Sequence, residues 1–475
     1  MAIPALDIVT KRLEPWVLPS PHSRIVDLQA DPRGGYWALV DVPRFAHDAK
    51  PAFLLQFDDT HSLLAVHAFS LTSPTNAGYD GVNVAAMSMG SRGIYVVGTA
   101  SARHQGGLPS KVFVARFSID GIYQGVTVYD PILLDGCEVP GAVQCTGIGI
   151  ARLAPPEEDR LMVLFQTAAK FNGDGLPRAD DAIGAGIFLI DDDGNLRSNG
   201  VKRIFGQGQL MPSRLRFLPN LGLAIVGRTR LSQTSGGWWG FFARVDSAAN
   251  VIAEASYAID NIPDVVLNDV VEGDYSIMTV GTAQQPDTAL RAVTMRIEAD
   301  GSVDWIGLYV PPPVGPELFG TQLNAVMAFD GSFVAAGAHS TQGITQPWLL
   351  QLTDASPDPV WQKEYSFATF SVHPPTTFNA LLLNVPNRAV AGGDTPDYAA
   401  GPAVVERVPF LAVSETSPAT KAPACSAETF AVALRTGVTA LPPTPWMDRI
   451  PLAATQWQPQ SIERQVGVDK LCYPG

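Results

Sequence analysis

The apolar positions of this chain follow a sequence motif that repeats along its length. Their spacing does not have the period of a helix. An apolar run ends in glycine, and a second apolar run leads through an Asp-Gly turn to a strand that closes on an aromatic residue. Period-two alternation that ends in Asp-Gly is typical of strands joined by hairpins. Each unit therefore predicts β-strands and no helix. The clearest glycine-ended runs are 93–99, 222–227, 273–282 and 331–337.

The spacing of this repeated motif predicts a closed array of seven units. Four-stranded antiparallel units protect their edges by closing into a ring. We therefore expect an all-β fold, a seven-bladed β-propeller over residues 20–415, with six or eight blades as alternatives. Intervals of 58, 67, 62, 54, 56 and 55 residues separate the equivalent positions Val40, Gly98, Phe165, Gly227, Gly281, Gly337 and Gly392.

Residues 416–475 depart from the repeat. Seven prolines between positions 418 and 459 exclude long helices there. We expect a C-terminal extension packed on the propeller and stapled by a disulfide between Cys425 and Cys472. Cys137 and Cys145 bracket a short loop and form the second expected pair. The alternative is four unpaired buried thiols.

The units resemble bacterial propeller repeats that read Gly-Gly-Tyr-(apolar)-Gly-x-Thr, then an apolar strand, Asp-x-x-Gly-Asn-Val and Trp-x-x-x-Tyr. Residues 34–37 read Gly-Gly-Tyr-Trp, residues 98–99 and 281–282 read Gly-Thr, and residues 300–305 read Asp-Gly-Ser-Val-Asp-Trp. Four units match this pattern well, and the other three are degenerate copies of it. Such repeats occur largely in secreted and cell-surface bacterial proteins, and they imply no single activity.

Charge and composition narrow the classes of partner and the location. A net charge of −14 with no basic stripe argues against nucleic acid. No apolar stretch reaches the roughly 18 residues of a membrane helix. The first residues lack the features of a signal peptide, so the protein either stays inside the cell or is a mature form. The two cysteine pairs favour the mature form, in an extracellular, periplasmic or cell-surface location.

One face of the ring is predicted to bind a partner. In a propeller, the loops between second and third strands emerge on the same side as the connections between blades, and variable polar loops on a rigid scaffold are common binding sites. The candidates on this ligand-binding face are Arg44, His47, His104, Arg228, Arg230, Trp238, His339 and Asp394.

A single loop resembles a calcium-binding loop. In the segment 170–181, Asn172, Asp174 and Asp181 match the third, fifth and twelfth positions of such loops, where oxygen ligands are required. Lys170 stands at the first position, where a ligand is expected. The alternative is an ordinary Asn-Gly-Asp-Gly turn.

No catalytic residues are assigned, because the acidic residues are scattered one or two per turn. We expect a binding platform for a protein, glycan or surface partner, without catalysis. The first alternative is a propeller hydrolase or lyase that acts on polysaccharide at the channel mouth. The second alternative is a structural subunit of an extracellular assembly, and the oligomeric state is left open.

Overall fold

The computed structural model confirms an all-β propeller, in which every described element is a strand. It describes residues 11–15, 23–42, 52–61, 63–70, 81–90, 92–101, 110–131, 143–153, 160–169, 183–197, 202–204, 208–231, 237–259, 262–274, 276–284, 290–309, 320–341, 344–365, 377–383, 388–396, 407–415, 426–427, 432–434, 438–441, 452–457, 460–462 and 466–470.

The described strands form seven antiparallel sheets, numbered here in chain order. The first three sheets each take four consecutive strands. Sheet 1 contains β2 (Arg24–Ala30), β3 (Tyr36–Asp41), β4 (Ala52–Phe57) and β5 (Leu63–Ser70). Sheet 2 contains β6 (Gly81–Gly90), β7 (Gly93–Ser101), β8 (Lys111–Phe117) and β9 (Tyr123–Pro131). Sheet 3 contains β10 (Val143–Arg152), β11 (Arg160–Ala169), β12 (Ile183–Asp191) and β13 (Lys202–Ile204).

The remaining four sheets follow the same order, except that the last one borrows a strand from the N-terminal region. Sheet 4 contains β14 (Gly208–Leu218), β15 (Gly222–Leu231), β16 (Trp239–Val245) and β17 (Val251–Ile259). Sheet 5 contains β18 (Asp264–Glu272), β19 (Ile277–Gln284), β20 (Leu290–Ile297) and β21 (Val303–Tyr309). Sheet 6 contains β22 (Gln322–Phe329), β23 (Ser332–Thr341), β24 (Ile344–Thr353) and β25 (Trp361–Tyr365). Sheet 7 contains β26 (Thr377–Leu383), β27 (Arg388–Pro396), β28 (Arg407–Glu415) and β1 (Lys11–Pro15).

The first strands of the sheets surround a central channel. Each first strand packs against the first strand of the next sheet, and β26 packs against β2, so the ring is closed. A separate apolar cluster fills each gap between neighbouring sheets. Because the middle strands have a neighbouring sheet on both faces, their residues are buried on both sides. This explains the nearly continuous apolar runs in the sequence.

The aromatic residues that end the fourth strands join neighbouring sheets. The hydroxyl of Tyr129 donates a 2.6 Å hydrogen bond to the carbonyl of Gly194, and that of Tyr257 donates one of 2.7 Å to Gly301. Both glycines lie in turns between a third and a fourth strand and have positive φ, which glycine adopts at little cost. Burial raises the pKa of both tyrosines, so the hydroxyls stay protonated as donors.

The two ends of the chain complete the outer edges of the sheets. β1 pairs with β28 and supplies the fourth strand of sheet 7. Six short strands of the C-terminal region pair antiparallel with outermost strands, in reverse order around the ring, and none of the described ones pairs with sheet 3. They are β29 (Ser426–Ala427) on β25, β30 (Val432–Leu434) on β21, β31 (Val438–Leu441) on β17, β32 (Leu452–Trp457) on β9, β33 (Gln460–Ile462) on β5 and β34 (Val466–Lys470) on β1.

The predicted disulfides lie largely outside the described residues. Cys145 is buried in β10, whereas Cys137, Cys425 and Cys472 are outside that part of the chain. The staple of the extension and the pairing of the first two cysteines therefore stay predictions. In the structure, strand pairing joins the described parts of the extension to the ring.

Candidate binding site in the central channel and on its rim

Every first strand carries a β-bulge at the same level of the channel. A bulge inserts one extra residue, which bends the strand and redirects a side chain. All seven extra residues line one cavity of about 420 Å³ inside the ring, which we call the upper cavity. They are Val26, Ala85, Ile148, Ser213, Asn268, Asn324 and Asn379.

The bulge explains the glycine that ends the repeated apolar run. A Cβ on Gly281 would fall 1.9 Å from the carbonyl oxygen of Val266, and one on Gly337 would fall 2.0 Å from that of Gln322. The same conflict arises at Gly98, with the carbonyl of Asn83 at 2.2 Å. In the seventh unit Gly393 takes this position, one residue after the glycine that the sequence spacing indicated. In these sheets a side chain at the glycine position would collide with the first strand beside its bulge, whereas Val40 and Phe165 occupy the corresponding positions of sheets 1 and 3.

Asparagine side chains at the bulges connect adjacent sheets. Asn268 Nδ2 donates a 2.8 Å hydrogen bond to the carbonyl of Leu323, and Asn324 Nδ2 donates one of the same length to Phe378. Asn379 Nδ2 donates to Asp394 Oδ1 at 2.9 Å. These bonds hold three amides in place on one side of the upper cavity.

The opposite side of the upper cavity is also polar. Arg24 and Asp41 form an ion pair of 3.4 Å, and Asp41 Oδ1 accepts a hydrogen bond from the backbone of the next sheet. Asn83, Thr99 and Thr146 complete this side of the wall. Hydrogen-bonding groups therefore converge on the cavity from around the ring, a common feature of ligand sites.

Arg214 connects the upper cavity with a second, lower cavity of about 310 Å³, since it lines both. Its neighbour Asp269 is fully buried and receives two hydrogen bonds from Arg216, of 2.9 and 3.0 Å. Arg214 Nε lies 3.7 Å from the same carboxylate and, within the described chain, makes no hydrogen bond. One carboxylate thus faces two guanidinium groups, and Arg214 lines both cavities although it is only 8% exposed.

The ionisation of this cluster follows from its contacts. Burial alone would raise the pKa of Asp269, but Arg216 and Arg214 hold it below the usual value. Burial opposes the charge on Arg216, yet the attraction of Asp269 raises its pKa. Asp27, on the other side of the lower cavity, accepts hydrogen bonds from the backbone amides of Leu28 and Met87. Both carboxylates thus connect first strands of neighbouring sheets.

A cationic cluster lies on the loop-bearing rim of sheet 4. Arg228 and Arg230, two residues apart on β15, place their guanidinium carbons 4.6 and 4.7 Å from the centre of the Trp238 ring. Trp238 is fixed to sheet 5, because its backbone amide donates to Asp264 Oδ1 and its carbonyl accepts from Val265, each at 2.7 Å. The sequence analysis predicted these three residues in one second-to-third loop. The structure instead places Arg228 and Arg230 within β15, where both contact Trp238.

The other predicted site residues differ in their surroundings. Asp394 is buried beside Asn379 at the channel wall. His339 was predicted in a loop, but β23 continues through it to Thr341, so its ring is fully buried 6.2 Å from that of Trp348. The described residues do not include Arg44, His47, His104, Asn172, Asp174 and Asp181.

The sequence analysis did not predict the polar side chains that line the upper cavity, which we call the polar ring. A usable signal was present, because Asn268 and Asn324 each precede by 13 positions the glycine that ends the repeated apolar run. The described residues contain no cluster of three or more His, Cys, Asp or Glu side chains placed to hold a metal. No helix long and apolar enough to cross a membrane occurs among them.

The chain resembles solved structures, but the comparisons identify no protein family for it. No family model matches the chain, and no curated protein sequence matches it. A puromycin hydrolase structure is 14% identical with a TM-score of 0.43, over 80% of this chain and 51% of its own. A neuraminidase-like protein of A/little yellow-shouldered bat/Guatemala is 9% identical with a TM-score of 0.32, over 85% and 98%. An ancestral GH74 enzyme is 13% identical with a TM-score of 0.24, over 77% and 55%. The chain spans about half the length of the puromycin hydrolase, and at these scores no activity transfers.

Proposed function

We propose that this chain is a seven-bladed β-propeller, one blade for each sheet, that serves as a binding platform without catalysis. Its partner, a protein, glycan or surface, is held on the face of the second-to-third loops and inserts a polar group into the upper cavity. The observation that carries this proposal is the convergence of polar groups on that cavity from the first strands of different sheets. Bonding between sheets holds several of these groups in position before any ligand arrives, which reduces the entropy cost of binding.

The test combines arrays of saccharides and peptides with paired variants. Asn324→Ala and Arg214→Gln change the channel, whereas Asn220→Ala removes an exposed amide on the opposite, hairpin face. We expect at least one ligand that the wild type and Asn220→Ala bind equally and that both channel variants bind about tenfold more weakly or worse. Melting curves establish that each variant is folded. The proposal is contradicted if the channel variants bind as tightly as the wild type, or if no ligand is found on the arrays.

The two alternative functions can be tested with the same protein and the same ligands. Cleavage of the bound ligand, followed by mass spectrometry, would favour the polysaccharide hydrolase or lyase. Concentration-dependent association without any ligand would favour the structural subunit.

The proposal includes an extracellular, periplasmic or cell-surface location, which is supported by the two local cysteine pairs in the sequence. Peptide mapping without reducing agent is expected to find Cys137 linked to Cys145 and Cys425 linked to Cys472. Free thiols at all four positions would overturn this location.

A further inference from the structure

The rim cluster of Arg228, Trp238 and Arg230 brings two arginines together on one aromatic ring. Several described arginines pair with carboxylates, as Arg152 does with Asp192 at 2.7 Å and Arg216 with Asp269. Arg244 donates instead to the backbone carbonyls of Leu221 and Ala299. Within the described residues, neither rim arginine has a carboxylate at ion-pair distance. The connecting segment 232–236 reads Ser-Gln-Thr-Ser-Gly and adds no acid. Among the described residues, therefore, two adjacent cations have no ion-pair partner, although the charge of Asp264 acts on Arg228 from a greater distance.

The two guanidinium groups are held in place by weak or neutral contacts. An Nη atom of Arg228 approaches the thioether sulfur of Met211 at 3.3 Å, and Arg230 Nε donates to the amide oxygen of Gln209 at 2.7 Å. Both groups also contact the Trp238 ring. A thioether is a weak acceptor, so donors on these arginines stay available for a stronger one.

Electrostatics favour an anion at this position. Burial lowers the pKa of Arg228 below its ordinary value; Asp264 acts in the opposite direction, and the charge of Arg230 lowers the pKa further. An anion between the two guanidinium groups would remove their repulsion. A planar carboxylate matches the fork of a guanidinium with two parallel hydrogen bonds.

The position of the cluster relative to the channel indicates what carries the carboxylate. Met211, which contacts Arg228, precedes Ser213 by two residues on β14, and Ser213 lines the upper cavity. Strand geometry separates two such residues by about 7 Å, a distance that a short oligosaccharide spans. Fixed amides and hydroxyls in the cavity suit sugar hydroxyl groups, and the rim arginines suit an acid group beside them.

We propose that Arg228 and Arg230 bind the carboxylate of a uronic-acid oligosaccharide whose hydroxyl groups contact the polar ring of the upper cavity. This inference rests on the proposed binding function and specifies its ligand. Trp238 acts as the support that keeps the two cations side by side.

Calorimetric titration with trigalacturonate tests the assignment. The methyl ester of trigalacturonate is the neutral control, and hexaglutamate is the acidic peptide control. The variants are Arg228→Gln and Arg230→Gln, with Arg92→Gln as the matched control, because Arg92 is a 72% exposed arginine on the hairpin face. Arg228→Lys keeps the charge without the fork, and melting curves verify folding.

We expect the wild type and Arg92→Gln to bind trigalacturonate alike, with affinity that falls as salt rises. The ester, and each glutamine variant with the acid, should bind about tenfold more weakly or worse. Arg228→Lys should lie between the wild type and Arg228→Gln.

Several results overturn the inference. They are no binding of trigalacturonate by the wild type, equal binding of acid and ester, and glutamine variants that bind like the wild type. Hexaglutamate binding as tightly as trigalacturonate, with the same arginine dependence, would make the ligand an acidic peptide. A neutral ligand found on the arrays and dependent on the channel would leave the proposed function standing while this inference fails.

Discussion

Replacing Gly281 by alanine tests whether the bulge dictates the recurrent glycine. The added Cβ would lie 1.9 Å from the carbonyl oxygen of Val266 and 3.0 Å from the Cα of Leu267, both backbone atoms. The φ of Gly281 lies outside the left-handed region, so the cost is steric. Overpacking costs about 1–3 kcal/mol, and the overlap here belongs at the upper end. The lower entropy of the unfolded alanine chain offsets about 0.4–1 kcal/mol, which leaves a destabilisation of about 2 kcal/mol.

Urea unfolding followed by tryptophan fluorescence measures this difference through the midpoint and slope. The matched control is Gly240→Ala on β16, where the new Cβ would meet only side-chain atoms of Leu267 and Val265, at 3.2 Å. These atoms can move, so we expect a change within about 0.5 kcal/mol there. Ligand binding should also weaken in Gly281→Ala, because the displaced bulge carries Asn268. A Gly281→Ala protein as stable as the wild type, or a control that is destabilised equally, would refute the steric explanation.

The remaining predictions concern the ion cluster, the chain end and the calcium loop. Asp269→Asn should destabilise the fold at neutral pH by about 3–5 kcal/mol, because Arg216 loses its buried partner; urea midpoints measure it. Since the folded pKa of Asp269 lies below the unfolded value of about 3.9, its contribution is present above that pH and disappears as pH falls through the folded pKa. The difference between variant and wild type should therefore shrink in acid, and a constant difference would contradict this. Truncation after Glu415 exposes the outer strands, so light scattering should detect self-association; a truncated chain that stays monomeric would argue against edge protection. Millimolar calcium should raise the melting temperature if the 170–181 loop binds it, and Asp174→Asn should abolish the shift; an unchanged wild-type melting temperature removes that site.

Strand content was readable from sequence, because it depends on local patterns. The alternation before Asp300 and Gly301 predicts a strand and a turn, and the structure has both, with positive φ at the glycine. Arg228, Arg230 and Trp238 were predicted on one face as residues of the loop between a second and a third strand, but both arginines lie within β15. Their mutual contact depends on the attachment of Trp238 to sheet 5, which no local pattern encodes.

Two misreadings have the same physical origin, which is where a strand ends or changes register. His339 reads as a loop residue because it follows the glycine-ended run, yet the pairing of β23 with β24 continues past it to Thr341 and Ile344. The channel asparagines were missed because alternation has period two, and a bulge shifts that period by one residue. The hydrogen bonds of the partner strand decide both outcomes.

The sequence alone was sufficient for an all-β repeat, since apolar runs, turn glycines and their spacing follow from the chemistry of a single unit. Tertiary structure decided which residues face the channel and which strand of the chain end covers which sheet. It also supplied a reason for the glycine where it recurs, because the carbonyl that excludes a side chain at Gly281 or Gly337 lies next to a bulge in the neighbouring strand. A bulge exists only between paired strands, so its effects become visible only when the sheets are assembled.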